Sequence, residues 1–311
     1  MRLTLRQLQI FLAIAESGST TTAAAAVSLT QSATSAALNQ LEDLLGAGLF
    51  DRIGRRLVIN DSGRALLPQA RHLLDAATEI EQQFTKPDKG AGKLRIGAST
   101  TIGNYLMPGL LAAYGKDVDV SQIHVRIANT EEIVTAVANL QLDIGFIEGP
   151  CHDDQLTTQQ WIKDELVLFA SSAHPLCQRQ RRITLDELRK ASWLLREPGS
   201  GTREAVERVL GPHLRHMRSG ISFGDSEAIK RAVAAGMGIS CLSRWVVADM
   251  LRHQALKELD TTLPALSRMF HIVRHPQKHL SRSLDQFVQF SLGWPTASEE
   301  STRKPGSRFM R

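Results

Sequence analysis

Residues 22–59 read TAAAAVSLTQSATSAALNQLEDLLGAGLFDRIGRRLVI. This segment joins an alanine-rich helical stretch, a turn, a second helical stretch and a basic hairpin, which is the order of a winged helix-turn-helix. The small side chains of Ala23 to Ala26 let the first helix approach its partner closely, and the Thr30 hydroxyl can cap the second helix. We therefore expect an N-terminal all-α winged helix-turn-helix over residues 1–60.

Short polar side chains occupy the first turns of the second helix, where a helix in the major groove presents its side chains to base edges. The candidates on this helix are Gln31, Ser32, Thr34, Ser35 and Asn39, of which Asn39 is equally consistent with plain helix surface. Three arginines on the presumed wing, Arg52, Arg55 and Arg56, are placed to hold phosphate or enter the minor groove. Residues 1–60 contain only five basic and four acidic side chains, so their basic charge is concentrated on the wing.

The composition of the whole chain is that of a globular protein, with 42% hydrophobic and 22% charged residues. A length of 311 residues suits two or three domains. No apolar run approaches the ~18 residues of a membrane span, and the start MRLTLRQLQIF lacks the apolar core and cleavage site of a signal peptide. We therefore expect a cytoplasmic protein without membrane contact.

Metal and disulfide chemistry receive no support from the sequence. The three cysteines, Cys151, Cys177 and Cys241, are far apart and form no CxxC pair, and the ten histidines include no HExxH motif. Buried free thiols are the simpler interpretation of these cysteines. We expect no cofactor and no metal site.

A heptad pattern follows the wing. The apolar positions Leu66, Ala70, Leu73, Ala77, Ile80 and Phe84 alternate in steps of four and three. This spacing predicts a linker helix over residues 61–84, with a seam that selects a partner helix, so we expect a homodimer. The alternative is that the seam packs against the chain's own downstream domain. Residues 85–92, TKPDKGAG, have the composition of a hinge.

From residue 93 onward, strand and helix patterns alternate twice over, which predicts an α/β domain over residues 93–295 with a parallel sheet. We expect one lobe over about 93–163 and 267–295 and a second over about 164–266. The polar, charged tail over 296–311 is expected to be disordered.

These segments, taken in order, carry a family resemblance. The stretches LRQLQIFLAIAESGS, AAAAVSLTQSATSAALNQLEDLLGAGLFDR and INDSGRALLP resemble the LysR-type transcriptional regulators over nearly the full chain. The resemblance implies base contacts from Gln31, Ser32 and Ser35, phosphate contacts from the three wing arginines, and promoter DNA as the partner. It also implies a two-lobed effector domain like that of periplasmic binding proteins and a homotetramer of two dimers. RNA polymerase is a further partner that the sequence leaves undecided. Ala36 departs from the family pattern, which often has a long polar or basic side chain there.

Polar residues at the ends of several predicted strands suggest where a small effector binds. They are Ser99, Thr100 and Thr101, then Asn129 and Thr130, then Glu148, and in the second lobe Ser200, Gly201, Thr202 and Arg203. Carboxyl ends of strands in open α/β sheets form ligand crevices, and hydroxyls with free backbone N–H groups hold oxyanions. Simple helix capping is the alternative for each serine and threonine.

A small oxyanion such as sulfite, or a carboxylate, is the predicted effector. The run IGASTTIGNYLMPGL resembles the family branch that includes sulfite-responsive and carbon-fixation regulators. Glu148 would repel an anion unless Arg203 or a protonated neighbour offsets its charge.

An enzyme and a solute-binding protein are the two alternative functions for such a chain. No GxSxG elbow, GxGxxG after a strand or Walker loop is present, so we expect no enzyme. A solute-binding protein of the periplasmic type without a transcriptional role would account for residues 93–295 alone. The DNA reader and the absence of a signal peptide favour a regulator whose DNA binding is modulated by a small ligand.

Overall fold

The computed structural model describes residues 2–54, 56–85, 93–214, 219–278 and 280–294. Three expectations fall wholly or largely outside these ranges: the wing residue Arg55, the hinge at 85–92, of which only Thr85 is described, and the tail at 296–311. None of the helices in the described ranges is long and apolar enough to cross a membrane.

The N-terminal domain is a three-helix unit with a two-stranded wing. Its elements are α1 (Leu5–Ser17), α2 (Thr20–Ala26), α3 (Gln31–Leu45), β1 (Phe50–Ile53) and β2 (Arg56–Ile59). Thr30 caps α3 by accepting a hydrogen bond from the Ala33 N–H, as the sequence predicts, and Gly46 ends the helix in the left-handed conformation. The Leu57 N–H donates to the Gly18 carbonyl over 2.9 Å, which ties the wing to the end of α1.

A shared apolar core holds this domain together. Leu8, Phe11 and Ile14 of α1 pack with Leu38 and Leu41 of α3, and all five side chains are buried. Burying each large side chain stabilises the fold by roughly 1.5–3 kcal/mol. The core therefore fixes the orientation of α3 relative to the rest of the domain.

The linker helix α4 (Asp61–Thr85) follows the wing, and its heptad seam has two different environments. The Asn60 side chain accepts from the Gly63 N–H and caps the helix start. Ala70 is fully buried in the core of the N-terminal domain, whereas Leu73 and Ile80 are 44% and 58% exposed. The first part of the seam thus packs within the chain, and the second part presents apolar side chains to the outside.

The C-terminal domain contains one nine-stranded mixed sheet. Its strands are β3 (Leu94–Ser99), β4 (Ile123–Ala128), β5 (Ile144–Glu148), β6 (Thr157–Ser171), β7 (Trp193–Arg196), β8 (Ser219–Phe223), β9 (Ile239–Ser243), β10 (Leu256–Glu258) and β11 (Leu266–Arg274). Its helices are α5 (Met107–Tyr114), α6 (Thr130–Ala138), α7 (Leu185–Lys190), α8 (Gly201–Leu214), α9 (Ser226–Ala234), α10 (Arg244–Arg252) and α11 (Arg282–Gly293). The strand order is β4-β3-β5-β11-β6-β9-β7-β8, with β10 paired to β6.

Two long strands connect the lobes and correct the expectation of a parallel sheet. β3, β4 and β5 are parallel to one another, but β11 pairs antiparallel with β5 and β6, and β6 pairs antiparallel with β9. The lobe limits near residues 163 and 267, inferred from the sequence, fall inside these two strands. Phe146 and Phe270 belong to the apolar core of the first lobe, and Trp193 and Leu210 to a separate core in the second. A ligand cleft can form where the two cores meet.

Candidate functional site: DNA interface and effector cleft

The start of α3 presents the polar side chains that the sequence singles out. Gln31, Ser32 and Asn39 are exposed, and Ser35 is half-buried. The Gln31 amide nitrogen donates to the Ser35 hydroxyl over 3.0 Å and to the Thr20 hydroxyl over 3.2 Å. These two bonds use both hydrogens of the amide nitrogen and fix its orientation, so the carbonyl oxygen is the group of Gln31 left to accept from a base edge. Sequence reasoning missed Thr20, whose position at the start of α2 was the available signal.

Thr34 does not belong to this surface, which corrects the sequence prediction. Its side chain is fully buried, and its hydroxyl donates to the Thr30 carbonyl over 3.0 Å. A threonine in a helix often bonds back to the carbonyl four residues earlier. Thr34 therefore stabilises the start of α3 from the inner face and cannot reach a base.

The wing places basic side chains at the surface. β1 and β2 pair with Ile53 opposite Arg56 and with Arg52 opposite Leu57. Arg52 and Arg56 are exposed, and Ile53 at the end of β1 is 64% exposed. Gly54 has φ of 62°, a conformation that favours glycine and closes the hairpin tightly. The hairpin can thus bring the two arginines to a DNA backbone.

In the effector domain, the ends of β3 and β5 meet the start of α8 around the Glu148 carboxylate. This carboxylate accepts from the Thr101 N–H over 2.7 Å, from the Thr202 hydroxyl, and from Arg268 Nη1 over 2.9 Å. Glu148 is 2% exposed. Burial alone raises the pKa of this carboxyl group, but Arg268 and the two hydrogen bonds outweigh it, so the pKa lies below its usual value.

Arg268 supplies the positive charge that the sequence analysis assigned to Arg203. Besides Glu148, its guanidinium contacts Asp164 over 2.8 Å and lies 5.0 Å from the centre of the Phe270 ring. Arg203 instead pairs with Glu207 over 2.7 Å and donates to the Arg196 carbonyl over 3.0 Å. The expectation that Arg203 offsets Glu148 is therefore wrong. A lone arginine in a strand far along the chain gave no motif by which to recognise Arg268.

Glycine is required where the two lobes touch. A Cβ atom at Gly201 would lie 1.8 Å from the Glu148 carbonyl oxygen and 2.6 Å from the Thr130 hydroxyl. The Gly201 N–H donates to that hydroxyl over 3.3 Å, and the Glu131 N–H donates to the Gly199 carbonyl over 3.1 Å. These contacts hold the start of α8 against the first lobe.

Two other predicted cleft residues act as helix caps. The Asn129 side chain accepts from the Glu132 N–H over 2.9 Å at the start of α6. The Ser200 hydroxyl, in a side chain only 3% exposed, accepts weakly from the Arg203 N–H over 3.5 Å. For both residues the capping interpretation weighed in the sequence analysis accounts for the side-chain contact.

Arg196, which sequence reasoning missed, joins the lobes on the other side of the cleft. Its guanidinium donates to the Thr100 hydroxyl over 3.2 Å, to the Ser226 hydroxyl over 2.9 Å and to Glu197 over 2.7 Å. Arg196 is 2% exposed. The available signal was its position at the end of the apolar strand β7, directly before the glycine-rich loop. A groove of about 510 Å³, lined by Thr100 and Asn129 among others, opens beside it.

Three buried polar atoms near the contact between the lobes have no hydrogen-bond partner among the described residues. They are Ser99 Oγ, Thr101 Oγ1 and Arg268 Nη2, and all three are buried. Leaving a buried donor unpaired costs about 1–3 kcal/mol, and more for a charged group. The contact between the lobes therefore contains unpaired donors. Within the described ranges, no group of three or more His, Cys, Asp and Glu side chains is placed to hold a metal ion.

Comparison with known proteins agrees with this geometry. Residues 5–64 match the family described as bacterial regulatory helix-turn-helix protein, lysR family, and residues 87–294 match the LysR substrate binding domain. The HTH-type transcriptional regulator YeiE of Escherichia coli is 47% identical over 93% of this chain and 97% of its own length. A RuBisCO operon transcriptional regulator of Allochromatium vinosum is 31% identical over 94% of this chain and 96% of its own length.

The effector domain also has a solved relative. The regulatory domain of CcmR from Synechocystis PCC6803, in complex with 2-PG, superposes with a TM-score of 0.60 and is 28% identical, covering 66% of this chain and 97% of its own. The matched DNA-reading domain sets aside the alternative of a solute-binding protein without a transcriptional role. The chain therefore belongs to the LysR family of transcriptional regulators, and its second domain is the family's ligand-binding effector domain.

Proposed function

We propose that the effector of this regulator is a small oxyanion or carboxylate bound in the cleft between the lobes. The observation that carries the proposal is the set of three buried donors, Ser99 Oγ, Thr101 Oγ1 and Arg268 Nη2, that have no acceptor in the described part of the chain. An anion with several oxygen atoms is the ligand class that satisfies hydroxyl and guanidinium donors together.

The charges around these donors are compatible with an anion. Glu148 and Asp164 share the single positive charge of Arg268, but burial raises the pKa of Asp164, which favours its neutral form, and Arg196 adds a second positive charge near Glu148. The Glu148 carboxylate already occupies the backbone N–H of Thr101. An incoming anion would therefore use the remaining hydroxyls and the third guanidinium nitrogen, which limits it to a compact molecule.

The similar CcmR regulatory domain was solved in complex with 2-PG, which supports a small molecule as the effector of this chain. The relationship to a RuBisCO operon regulator agrees with the family branch expected from the sequence. Sulfite and small carboxylates are accordingly the first candidates to test.

The regulatory step we propose is a change in lobe packing. Ligand binding strengthens contacts between the lobes at Thr101, Gly201 and Thr202, and this changes how effector domains pack in an oligomer. The linker helix pairs two chains into a dimer, two dimers form a tetramer, and the spacing of the α3 helices on promoter DNA changes accordingly. Contact with RNA polymerase at the promoter belongs to the same proposal, as does a cytoplasmic location.

Calorimetric titration of the full chain with sulfite, sulfate, glycolate and acetate tests the ligand class. We expect one of the anions to bind, and Ser99→Ala or Thr101→Val to weaken it roughly tenfold or more, since each removes a hydrogen bond to a charged group. Ser121→Ala, at an exposed position, is the matched control and should leave affinity unchanged. Absence of heat and of thermal stabilisation with every anion would refute the proposal.

DNA footprints test the regulatory step separately. With a ligand established by titration, the protected region should change in length or in the pattern of hypersensitive bands. Identical footprints with and without that ligand would show that binding in the cleft is not coupled to the DNA reader.

A further inference from the structure

A second polar cavity lies outside the cleft, where the DNA reader, the linker helix and the first lobe meet. It has a volume of about 210 Å³, well above what one water molecule needs. Its wall includes Leu12 of α1, Arg71 of α4, Lys93 and Arg95 at β3, Lys278 after β11, and Ser283 of α11. We call this space the junction cavity.

The lining of the junction cavity carries excess positive charge. Four of its side chains are basic: Arg71, Lys93, Arg95 and Lys278. Among the described residues of the lining, two are acidic: Asp75 and Asp143. In a partly enclosed space, where charges are poorly screened, such an excess attracts an anion.

Both carboxylates of the cavity are already in use. Asp143 accepts from Arg95 Nη2 over 2.6 Å and pairs with Lys278 Nζ over 2.9 Å. Asp75 also pairs with Lys278. Among the described residues, the direct ion-pair partner of Arg71 is Glu16, which does not line the cavity.

Arg71 is the residue whose hydrogen bonding is incomplete. Its side chain is 5% exposed, and Nη2 contacts the half-exposed Glu16 of α1 over 2.6 Å. Its Nε is buried without any acceptor in the residues that the structure describes. Burial and the nearby Arg95 lower the pKa of Arg71, and the carboxylates of Glu16 and Asp75 offset this only in part. The unpaired N–H group belongs to a side chain that lines the cavity.

The cavity also includes the first turn of a helix. α11 extends over twelve residues, Ser281 caps it, and Ser283 in its first turn lines the cavity. The N-terminus of a helix carries partial positive charge and unpaired backbone N–H groups, which favour an anion. This feature adds to the unpaired Arg71 and the excess of basic side chains.

We propose that the junction cavity binds a doubly charged tetrahedral oxyanion, either inorganic phosphate or sulfate or the phosphate group of a small metabolite. The anion accepts from Arg71 and Ser283 and pairs with Lys93. Because the reader, the linker helix and the first lobe each contribute to the wall, a bound anion fixes the reader relative to the effector domain. The site is separate from the cleft and does not depend on the identity of the cleft ligand.

Titration of the full chain with inorganic phosphate, sulfate and glycerol 3-phosphate, at constant ionic strength in chloride, tests this site. We expect phosphate to bind at one site per chain; sulfate gives a second site only if it is also the cleft ligand. Lys93→Gln and Ser283→Ala should each weaken phosphate binding roughly tenfold, because each removes a charge or a hydrogen bond to the anion. Preference for glycerol 3-phosphate over both inorganic ions would identify a metabolite phosphate as the source. Arg71→Lys should weaken binding further because it removes the unpaired Nε–H, although it keeps the positive charge.

Two controls make the outcome decisive. Lys116→Gln, an exposed lysine outside the cavity, should leave affinity unchanged. Lys93 is exposed and Ser283 half-buried, so these variants are expected to fold even if Arg71→Lys does not. No binding of any of the three anions overturns the proposal. Binding that is abolished by Ser99→Ala and unaffected by Lys93→Gln also overturns the proposal. The anion would then lie in the cleft, which would support the proposed function instead.

Discussion

Arg268 and Glu148 form an ion pair with an N–O distance of 2.9 Å, and their side chains are only 4% and 2% exposed. The pair lies where the first lobe meets the start of α8, and Thr202 bonds to both members. Two charges withdrawn from water in this way are tolerated only when hydrogen bonds satisfy the remaining atoms. Nη2 of Arg268 is the atom that the described residues leave unsatisfied.

Glu148→Gln is expected to destabilise the protein by about 3–5 kcal/mol, because it breaks a buried pair and leaves Arg268 with Asp164 alone. Urea unfolding measures this directly. The same change should tighten anion binding in the cleft, since one negative charge is removed. Glu132→Gln is the control: its pair with Arg126 spans 3.7 Å at the surface, so the change should be below about 1 kcal/mol. A similar loss of unfolding free energy in both variants would show that the buried Glu148 pair contributes no more than the surface pair.

Gln31→Ala and Arg52→Ala are expected to impair DNA binding in different ways. Loss of the oriented Gln31 amide should weaken operator binding by about 1–3 kcal/mol and relax preference at one base pair, with an unchanged salt dependence. Loss of the exposed Arg52 should weaken binding to every sequence and reduce the salt slope by about one. Fluorescence anisotropy with operator and scrambled DNA at several salt concentrations separates the two. Gln69→Ala, at an exposed position on α4, is the control and should bind DNA like the wild type. A salt slope that changes for Gln31→Ala and not for Arg52→Ala would contradict the assignment of base contact to Gln31 and phosphate contact to Arg52.

The sequence predicts the local features of the reader well because they depend on near neighbours. The Thr30 cap, the Gly46 terminus and the order of helices follow from residues three or four positions apart. The assignment of Thr34 to the DNA-binding surface is wrong because polar character alone does not tell which face of a helix packs inward. Helical spacing already placed Thr34 on the inner face of α3, four residues before the buried Leu38.

The cleft was harder to predict because its partners are distant in sequence. Glu148 pairs with Arg268, and Thr100 bonds to Arg196, although the partners are about one hundred residues apart in sequence. The antiparallel strands β6 and β11 and the packing of the two lobes bring them together. Periodicity identified the strand ends and hence Ser99, Thr101 and Thr202. It carried no information on which arginine would neutralise the carboxylate.

Leu73→Lys combined with Ile80→Lys is expected to shift the protein toward monomer. Both side chains are exposed on the outer part of the heptad seam, and a charged side chain at such a position is unfavourable when a partner helix covers it. Sedimentation velocity at micromolar protein detects the change. Gln69→Lys adds a positive charge beside the seam and should preserve the wild-type assembly. An unchanged sedimentation coefficient in the double variant would mean that the seam is not the dimer contact.

Asp143→Asn is expected to remove part of the acid sensitivity of folding. Burial alone raises the pKa of Asp143, but Arg95 and Lys278 outweigh it, so its pKa in the folded protein lies below the usual value. A carboxyl group with a lowered folded pKa stabilises the fold above its unfolded pKa of about 3.9, and this stabilisation is lost as the pH falls through the folded pKa. The difference in unfolding free energy between wild type and variant should therefore be largest near about pH 6 and shrink toward about pH 2.5. A difference that stays constant over this range would rule out titration of Asp143 as the source.

Thiol labelling should distinguish one cysteine from the other two. Cys241 is 2% exposed, and burial raises its pKa to about 12; burial also raises the pKa of Cys177. Because the thiolate is the reactive form, both should stay unreactive at about pH 8 in the folded protein. Cys151 is half-buried, and it should account for a single rapidly modified thiol per chain with Ellman's reagent. Cys151→Ser should abolish the rapid phase, and the two remaining thiols should react at the rate of unfolding when urea is added. Rapid modification of two or three thiols in native protein would show that the second lobe opens far more readily than its packed core around Trp193 implies.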